Sequence, residues 1–472
     1  MTAGKSPQMC KFRLGILALI VGLTGCATLG PDHTPLPQIH PKALGLSDAT
    51  MGIVAEQWWQ SFGDPRLNQL VIQALADQPN LAATRARVSR MLSLADVSQS
   101  TTFPQVSVGV DATRQRFTEN GIYGPFGGNV YNSGTAQIGV AWAPDVFGQH
   151  TAEIASSLNQ AQAAQADAQA ASVILAAQVC RGYITLARLV AQRDIAQQVL
   201  EQRRQFSELI TTRVNAGLDT QLEKQQADGS LSQAQGQIET LDEQLSLVRH
   251  QLAALAGQRL DAYDDLSPSL DQLSLDDMPL SLGADLIGRR ADVAAARWRV
   301  EAAVQDVKVA RTQFYPNINL SAFVGVSAIG ASQVFERSSR DAAITPAIRL
   351  PLFDGGRLRA QLRSRQGDLD IAIASYNTVL LDAVKEASDA ISSTQSLQRQ
   401  AIDESKALSS ALAAYDIHVQ RYGAGLTNQQ AVLNAQTQWL AERRVAIDLR
   451  ARELDNRVFL MKSLGGGWHD VH

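Results

Sequence analysis

The sequence predicts a mainly α-helical protein with a small β part, in which one structural unit occurs twice. The first observation is a repeated phrase: RVNAGLDT at 213–220 returns as RYGAGLTN at 421–428. The second is a pair of long segments, 148–214 and 355–422, that contain no proline and therefore predict uninterrupted helices. The third is a set of short segments in which apolar and polar residues alternate, as they do in β-strands. Such self-similarity predicts a duplicated fold.

Composition excludes several classes of function. The 472 residues are 45% hydrophobic and carry a formal charge of −4, so the chain can bury a core and has no basic surplus for nucleic acid. Of the three cysteines only Cys180 lies in the predicted body, so no internal disulfide is predicted, and the sequence assigns Cys180 no role. Because no catalytic triad, phosphate loop or metal-ligand spacing is present, we predict no enzyme, no metal site and no cofactor other than a covalent lipid.

The N-terminus predicts a signal peptide at 1–25. Lys11 and Arg13 precede the apolar run 14–23, which is too short to span a bilayer. The run leads into LTGC, which resembles a bacterial lipobox and makes Cys26 the predicted lipidation site. An ordinary signal peptide with a chance cysteine is the alternative. Segment 26–65 begins rich in proline and is predicted to be a lipid-anchored extended stalk.

Each repeat is predicted to contain a helix, two strands and then two long helices. The first repeat, at 66–257, has predicted strands at 104–117 and 134–143 and long helices at 148–214 and 219–256. The second repeat, at 284–465, has predicted strands at 316–328 and 342–352 and long helices at 355–422 and 427–464. An acidic connector rich in Ser and Pro separates the repeats at 258–283, and a tail follows at 466–472.

The predicted strands have about ten residues each, the length of tilted strands that cross a membrane. Pro346 interrupts the last of them and predicts a bulge or a sheet edge. Two soluble hairpins that cap a helical bundle would explain the alternation equally well. If the strands lie in lipid, four of them leave two open edges whose unpaired backbone groups cost several kcal/mol each. The membrane alternative therefore requires more than one copy of the chain.

The predicted long helices favour an extended coiled coil or the wall of a tube. The start of 148–214 is rich in Ala and Gln, and apolar residues in 355–422 recur at spacings of three and four, as at Leu369, Ile373, Tyr376 and Leu380. At 1.5 Å per residue each segment gives about 100 Å of helix.

The repeated phrases predict the turns between the long helices; we call 213–220 the first tip and 421–428 the second tip. Gly217 and Gly425 supply the left-handed residue that ends a helix. Asp219 and Thr427 are predicted to cap the helix that follows. Turn chemistry alone is the simplest explanation of the phrase, but it leaves the repeated Arg unexplained.

This layout resembles the outer-membrane factor family, the TolC-like exit ducts, and in particular its lipid-anchored, NodT-type efflux branch. The similarity covers nearly the whole mature chain and is carried by four motifs: WWQSFGDPRLNQLVIQAL at 58–75, GRRADVAAARWRVEAAVQDVKVARTQFYPNINL at 288–320, PLFDGG at 351–356 and SLGGGW at 463–468. One departure is Ala291, where the family usually has Pro between Arg290 and Asp292. This change is expected to loosen one helix start without altering the fold.

The resemblance implies a homotrimer in the outer membrane, with a long periplasmic extension. Four strands from each chain would form one 12-stranded β-barrel, and the helices a periplasmic α-barrel. The implied function is the passive export of drugs or small molecules delivered by an inner-membrane efflux pump and a periplasmic adaptor. A duct for protein secretion or for one endogenous substrate is an alternative, as is a structural coiled-coil lipoprotein that tethers the envelope.

The resemblance also assigns residues to two sites. The tips would contact the adaptor through Arg213, Gly217, Leu218, Arg421, Gly425 and Leu426. The periplasmic gate would involve Arg421, Tyr422, Gln430 and Asn434. At the last two positions the family usually has an apolar residue and an Asp, so this gate would carry fewer charges. A polar seam between neighbouring helices is the alternative place for Gln430 and Asn434.

Overall fold

The computed structural model describes residues 33–44, 54–122, 124–274 and 289–468. The first repeat contains helices α1 (Pro65–Asp77) and α2 (Pro79–Ser100), strands β1 (Gln105–Arg116) and β2 (Val130–Trp142), and helices α3 (Gln149–Asn215) and α4 (Gln221–Leu255). The second repeat contains α5 (Ala291–Thr312), β3 (Asn317–Ile329), β4 (Arg340–Arg349), α6 (Arg357–Gly423) and α7 (Gln429–Ser463). The prediction of a mainly helical, duplicated fold with four strands is confirmed.

Two strands differ from their predicted bounds. Strand β2 begins at Val130, before the predicted start at 134, because Val130 to Ser133 pair with the end of β1 although their sequence does not alternate cleanly. Strand β4 begins at Arg340 and ends at Arg349, whereas the predicted strand ran from 342 to 352. Pro351 cannot donate a ladder hydrogen bond, which is consistent with the early end. The signal peptide, Cys26 and parts of the stalk, connector and tail lie outside the described residues.

The four strands form one antiparallel sheet in the order β1-β2-β3-β4. Every pairing is continuous, with Val108 opposite Ile138, Ile138 opposite Val324, and Val324 opposite Ala342. Pro346 pairs with Leu320 without a bulge, and it lies on an edge strand of the sheet. Of the two predicted reasons for Pro346, the edge is therefore correct.

The chain divides into two compact units. The first unit includes Val88–Ala163 and Ala296–Tyr376, and these two ranges contain all four strands of the sheet. Its helical core is a seam between α5 and α6, formed by Val300, Ala303, Val307, Ala310, Leu362, Leu369 and Ile373. These residues recur at helical spacings of three, four and seven, which place them on one face of each helix.

The second unit comprises Ile39–Arg87, Ala164–Ala295 and Asn377–His472. Its core includes Trp58 and Phe62, which are almost fully buried, and the hydroxyl of Tyr183 donates to the carboxylate of Asp64 at 2.5 Å. Cys180 lies in the same core, and burial raises the pKa of its thiol well above the usual range. The thiol is thus a packing group with little thiolate character.

Helix α3 contains, within the described residues, a stretch that is apolar and long enough to cross a membrane. About two thirds of that stretch is buried in the protein, as is typical of the core helix of a folded domain. The helix therefore does not by itself indicate a membrane span.

Candidate functional site

The sheet has one apolar and one polar face. Because side chains alternate along a strand and every pairing joins even-numbered residues, the even positions of all four strands lie on one face. The rows of that face include Val106, Val108 and Val110 of β1, Ala136, Ile138 and Val140 of β2, Ala322, Val324 and Val326 of β3, and Ala342, Ile344 and Ile348 of β4. The opposite face includes Ser107, Asp111, Thr135, Gln137, Asn319, Ser321, Asp341 and Thr345.

The apolar face is open. Val106, Val108 and Val110 expose 68%, 73% and 76% of their surface, and Ile344 exposes 75%. An exposed apolar patch that runs across a whole sheet is typical of a membrane or protein contact. Strands of this length, tilted as in membrane barrels, give an apolar band about 25 Å tall. The sheet therefore has the two faces of a membrane strand array, one suited to lipid and the other suited to water.

Aromatic side chains lie at both ends of the sheet. At the end joined to the helices, the rings of Phe147 and Tyr315 stack with centroids 5.3 Å apart. At the loop end, Tyr131 contacts Phe126 and Phe117 at 5.4 and 6.1 Å. Aromatic residues flank the apolar band of outer-membrane strands, and this sheet has aromatic residues at both of its ends, although Tyr131 occupies an odd position on the polar face.

The first tip is closed by its own side chains. The N–H groups of Gly217 and Leu218 donate to the carbonyls of Val214 and Arg213, which is the Schellman pattern that ends a helix at a left-handed residue. Arg213 then donates to Asp219 through both Nε and Nη2, at 2.6 and 3.0 Å. This hydrogen bond raises the pKa of Arg213 and lowers the pKa of Asp219.

The second tip has the same backbone and a different set of side-chain contacts. Gly425 has the φ of 72° found at Gly217, and Gly425 and Leu426 donate to the carbonyls of Tyr422 and Arg421. Arg421 is exposed, and its guanidinium makes no hydrogen bond or ion pair within the part of the chain that the structure describes. Thr427 occupies the position that Asp219 occupies in the first tip, so the second tip offers no carboxylate to Arg421.

The predicted helix caps were wrong by one residue. Helix α4 is capped by Thr220, which forms a reciprocal capping box with Glu223, and α7 is capped by Asn428, which accepts from the N–H of Ala431 at 3.0 Å. Asp219 is free to bind Arg213 because Thr220 performs the capping. The signal missed in the sequence was the Thr-x-x-Glu spacing at 220–223.

The predicted contact and gate residues are all partly or fully exposed. Leu218 and Leu426 expose 67% and 68% of their surface, and a Cβ added at Gly217 or Gly425 would meet no other group within 4 Å. Gln430 and Asn434 are exposed one helical turn apart, beside the buried Leu433. Their exposure in a single chain is compatible with both a lumen and an interhelix seam, so the gate assignment stays a prediction.

The start of α5 is firmly held. Arg290, which exposes 6% of its side chain, binds Asp292 through Nε and Nη2 at 3.0 and 2.7 Å, and its Nη1 donates to Glu386 at 3.0 Å. Burial opposes the charge of Arg290, but these carboxylates raise its pKa overall. Asp292 also accepts from the N–H of Val293 at 2.9 Å. The loosening expected from Ala291 is therefore not observed.

No group of three or more metal-ligating side chains occurs among the described residues. Cys26 lies outside them, so lipidation stays a prediction.

Comparisons with known proteins agree with this geometry. A family model described as outer membrane efflux protein matches residues 70–258 and 282–466. The fusaric acid resistance protein FusA of Burkholderia cepacia is 36% identical over 364 residues, which cover 74% of this chain and 68% of that protein. The multidrug resistance outer membrane protein MdtP of Escherichia coli K12 is 28% identical over 473 residues and 96% of each chain.

Solved structures show the same fold. The outer membrane protein VceC of Vibrio cholerae superposes with a TM-score of 0.81 at 31% identity, over 88% of this chain and all of that one. The outer-membrane channel OprN superposes with a TM-score of 0.80 at 28% identity, over 93% of this chain and 99% of that one.

Proposed function

The chain belongs to the outer membrane efflux protein family and is an outer-membrane efflux channel, and on this premise we propose that three copies form one exit duct for small toxic molecules. The molecules would arrive from an inner-membrane pump through a periplasmic adaptor. Drugs and organic acids are the proposed cargo, because the relatives are named for multidrug and fusaric acid resistance. The proposal assigns no chemical reaction to the chain.

The observation that carries the proposal is the two-faced sheet with two open edges. Its apolar face suits lipid, its polar face suits a water-filled lumen, and its edges β1 and β4 leave backbone groups without sheet partners. In a membrane such edges must be paired. Three copies would pair β1 of each chain with β4 of the next and close a 12-stranded barrel.

We propose that the adaptor binds the tips, and that the second tip supplies the polar part of the contact. Arg421 offers its donors without an internal acceptor in the described chain, beside the exposed Leu426. A carboxylate or a carbonyl on the adaptor would satisfy it. Cys26 would carry the lipid that anchors each chain, as in the lipid-anchored branch of the family.

Channel formation is tested by conductance in planar bilayers and by drug susceptibility of a strain that lacks its own copy. A duct gives discrete conductance steps and restores resistance, whereas an envelope tether gives neither. Gly425→Glu is expected to keep the trimer and lose resistance, while Gly425→Ala, which shares the backbone cost, keeps most of it. Normal resistance with Gly425→Glu at normal protein level would exclude the tip as the adaptor site.

Lipidation is tested separately by metabolic labelling with a fatty acid. The wild-type chain should take up label and Cys26→Ser should not, because only the thiol forms the thioether. Label retained in the variant would refute the lipobox.

A further inference from the structure

Three arginines lie on the apolar face of the sheet. Arg114 and Arg116 of β1 and Arg340 of β4 occupy even positions, and all three are exposed. They lie at the loop end, since β1 leads into loop 117–129 and β4 follows loop 330–339. The described strands carry no acidic residue on this face, because Asp111 and Asp341 point to the other side.

These arginines lack firm partners. The guanidinium groups of Arg114 and Arg340 make no hydrogen bond or ion pair within the described residues. Arg116 donates through Nε to the carbonyl of Gly128 at 3.2 Å and lies 3.8 Å from Glu119, in a pair that is about 70% exposed on both sides. Such an exposed pair contributes little. The three charges thus remain available to an external anion.

Lipid-facing cations are tolerated near an interface and are costly at the bilayer midplane. The three arginines must therefore lie at the level of the headgroups, just beyond the apolar rows. The helices of this unit join the sheet at its other end. If those helices are periplasmic, as the proposed function requires, the arginines face the outer leaflet, which in a bacterial outer membrane consists of phosphorylated glycolipid.

The two edge strands, β1 and β4, are offset along the strand direction, and this offset places their arginines at the same height in the membrane. Along the hydrogen-bonded rows Arg340 is level with Val110, through Val326 and Ala136. With strands tilted by about 45° and spaced by about 4.8 Å, a row shifts by about 10 Å across three strands. Along the barrel axis, the distance from Val110 to Arg114 is also about 10 Å at about 3.4 Å per residue. Arg340 and Arg114 therefore lie at one height.

We propose that the seam between two protomers binds the phosphorylated headgroup of an outer-leaflet glycolipid. The site rests on the proposed trimer: β1 of one chain would pair with β4 of the next, so Arg114 and Arg116 of one chain and Arg340 of its neighbour flank each seam. The arginines bind the phosphates, and the valine and isoleucine rows below them contact the acyl chains. A free phosphate ion could not use those apolar rows, which is why a lipid is the favoured ligand.

The test uses the full-length protein in phosphatidylcholine nanodiscs and measures bound lipid by native mass spectrometry. Diphosphoryl lipid A is expected to bind at least about tenfold more tightly than dephosphorylated lipid A, because hydrogen bonds between charged groups are worth about this factor or more. The double variant Arg114→Gln/Arg340→Gln should lose this preference. Arg114→Lys/Arg340→Lys should retain much of it, which separates charge from folding.

Arg349→Gln is the matched control, since Arg349 lies on the same strand but on the polar face. It should leave the preference unchanged. Three results would each overturn the proposal. They are equal binding of the two lipids by the wild-type protein, a loss of preference with Arg349→Gln as large as that with the double glutamine variant, and displacement of lipid A by inorganic phosphate as effectively as by lipid A itself. Conductance of the same purified protein is recorded in planar bilayers in parallel. Normal conductance without a lipid preference refutes only the lipid site, whereas absent conductance refutes the channel.

Discussion

In the first tip the guanidinium of Arg213 is bound by Asp219, whereas in the second tip the guanidinium of Arg421 has no partner among the described residues. The backbones of the two tips are nearly the same: each helix ends at a glycine with φ of 72°, and the same two carbonyls accept the closing hydrogen bonds. Duplication has therefore kept the parts that make the turn and changed the parts that face outward.

This difference explains the repeated arginine. In both tips the carbonyl of the arginine accepts the bond that closes the helix, a role that any residue can fill. The side chain holds the first tip together and is free for a partner in the second. The first tip is thus stabilised by its own arginine, whereas the second tip has an arginine that can bind a partner.

A second pair of repeated glycines lies at the ends of helices α4 and α7 that are farther along the chain from the tips. Gly257 and Gly465 end helices α4 and α7 with positive φ, as the tip glycines do. A Cβ at Gly257 would lie 2.9 Å from the carbonyl oxygen of Asp77, and at Gly465 it would lie 2.9 Å from that of Arg289. Both repeats therefore use glycine for a close backbone approach here, whereas the tips need it only for the turn.

The largest expected effect separates these two uses of glycine. Alanine at Gly257 or Gly465 combines a left-handed backbone cost of about 1–2 kcal/mol with an overpacking cost of about 1–3 kcal/mol. Alanine at Gly217 or Gly425 should cost only the first, because open space surrounds both positions. Denaturant unfolding of the purified protein measures the four variants. Equal losses at all four would show that the close approach contributes nothing.

The next prediction separates the two arginines. Arg213→Ala should speed amide hydrogen exchange in the first tip, because the bond to Asp219 is lost. Arg421→Ala should leave exchange in the second tip unchanged and reduce drug resistance. The two readouts are exchange mass spectrometry and susceptibility in the same strain. The comparison fails if Arg421→Ala loosens its own tip, since its side chain would then have a structural role.

Some of this was readable in the sequence and some was not. The repeats, the helices and the alternating strands follow from periodicity, which records local geometry and the environment of each face. The pairing of Arg213 with Asp219 was not predicted, because Asp219 and Thr220 are both good capping residues and only the backbone decides which of them caps. The arginines at the loop end were also missed, since their shared face depends on the strand register and not on the spacing within one strand.

A smaller effect is expected from pH. Hydrogen bonds from Arg213 and Thr220 lower the pKa values of Asp219 and Glu223. Groups with lowered pKa stabilise the fold above the pKa of the unfolded chain, about 4, and this stability is lost as pH falls through the lower folded values. Exchange protection of the first tip, corrected for intrinsic rates, should therefore decline below about pH 4. The second tip contains no carboxylate between 421 and 428 and should not respond.

Asp219→Asn/Glu223→Gln is the control for that experiment. It removes both carboxylates and should make the first tip insensitive to pH. A decline that persists in this variant would have to come from global unfolding, and the tip would not be its source.

The smallest expected effect concerns the predicted gate on α7. If Gln430 and Asn434 face the lumen of a trimer, Asn434→Asp places three carboxylates around one axis and should raise the cation selectivity of the reconstituted channel. The reversal potential in a KCl gradient measures this, and the shift should shrink at high salt, where the screening length falls to about 3 Å at 1 M. An unchanged potential in a folded trimer would remove Asn434 from the lumen.

The matched position in the first repeat sharpens this test. Aligning Gly217 with Gly425 places Gln226 opposite Asn434, and both side chains are exposed in the single chain. If only the second hairpin lines the gate, Gln226→Glu should leave the reversal potential near its wild-type value while Asn434→Asp shifts it. Equal shifts would mean that the helices after both tips face the lumen in the same way. The difference between the first tip, which binds its own arginine, and the second tip, whose arginine is free for a partner, would then be confined to the turns.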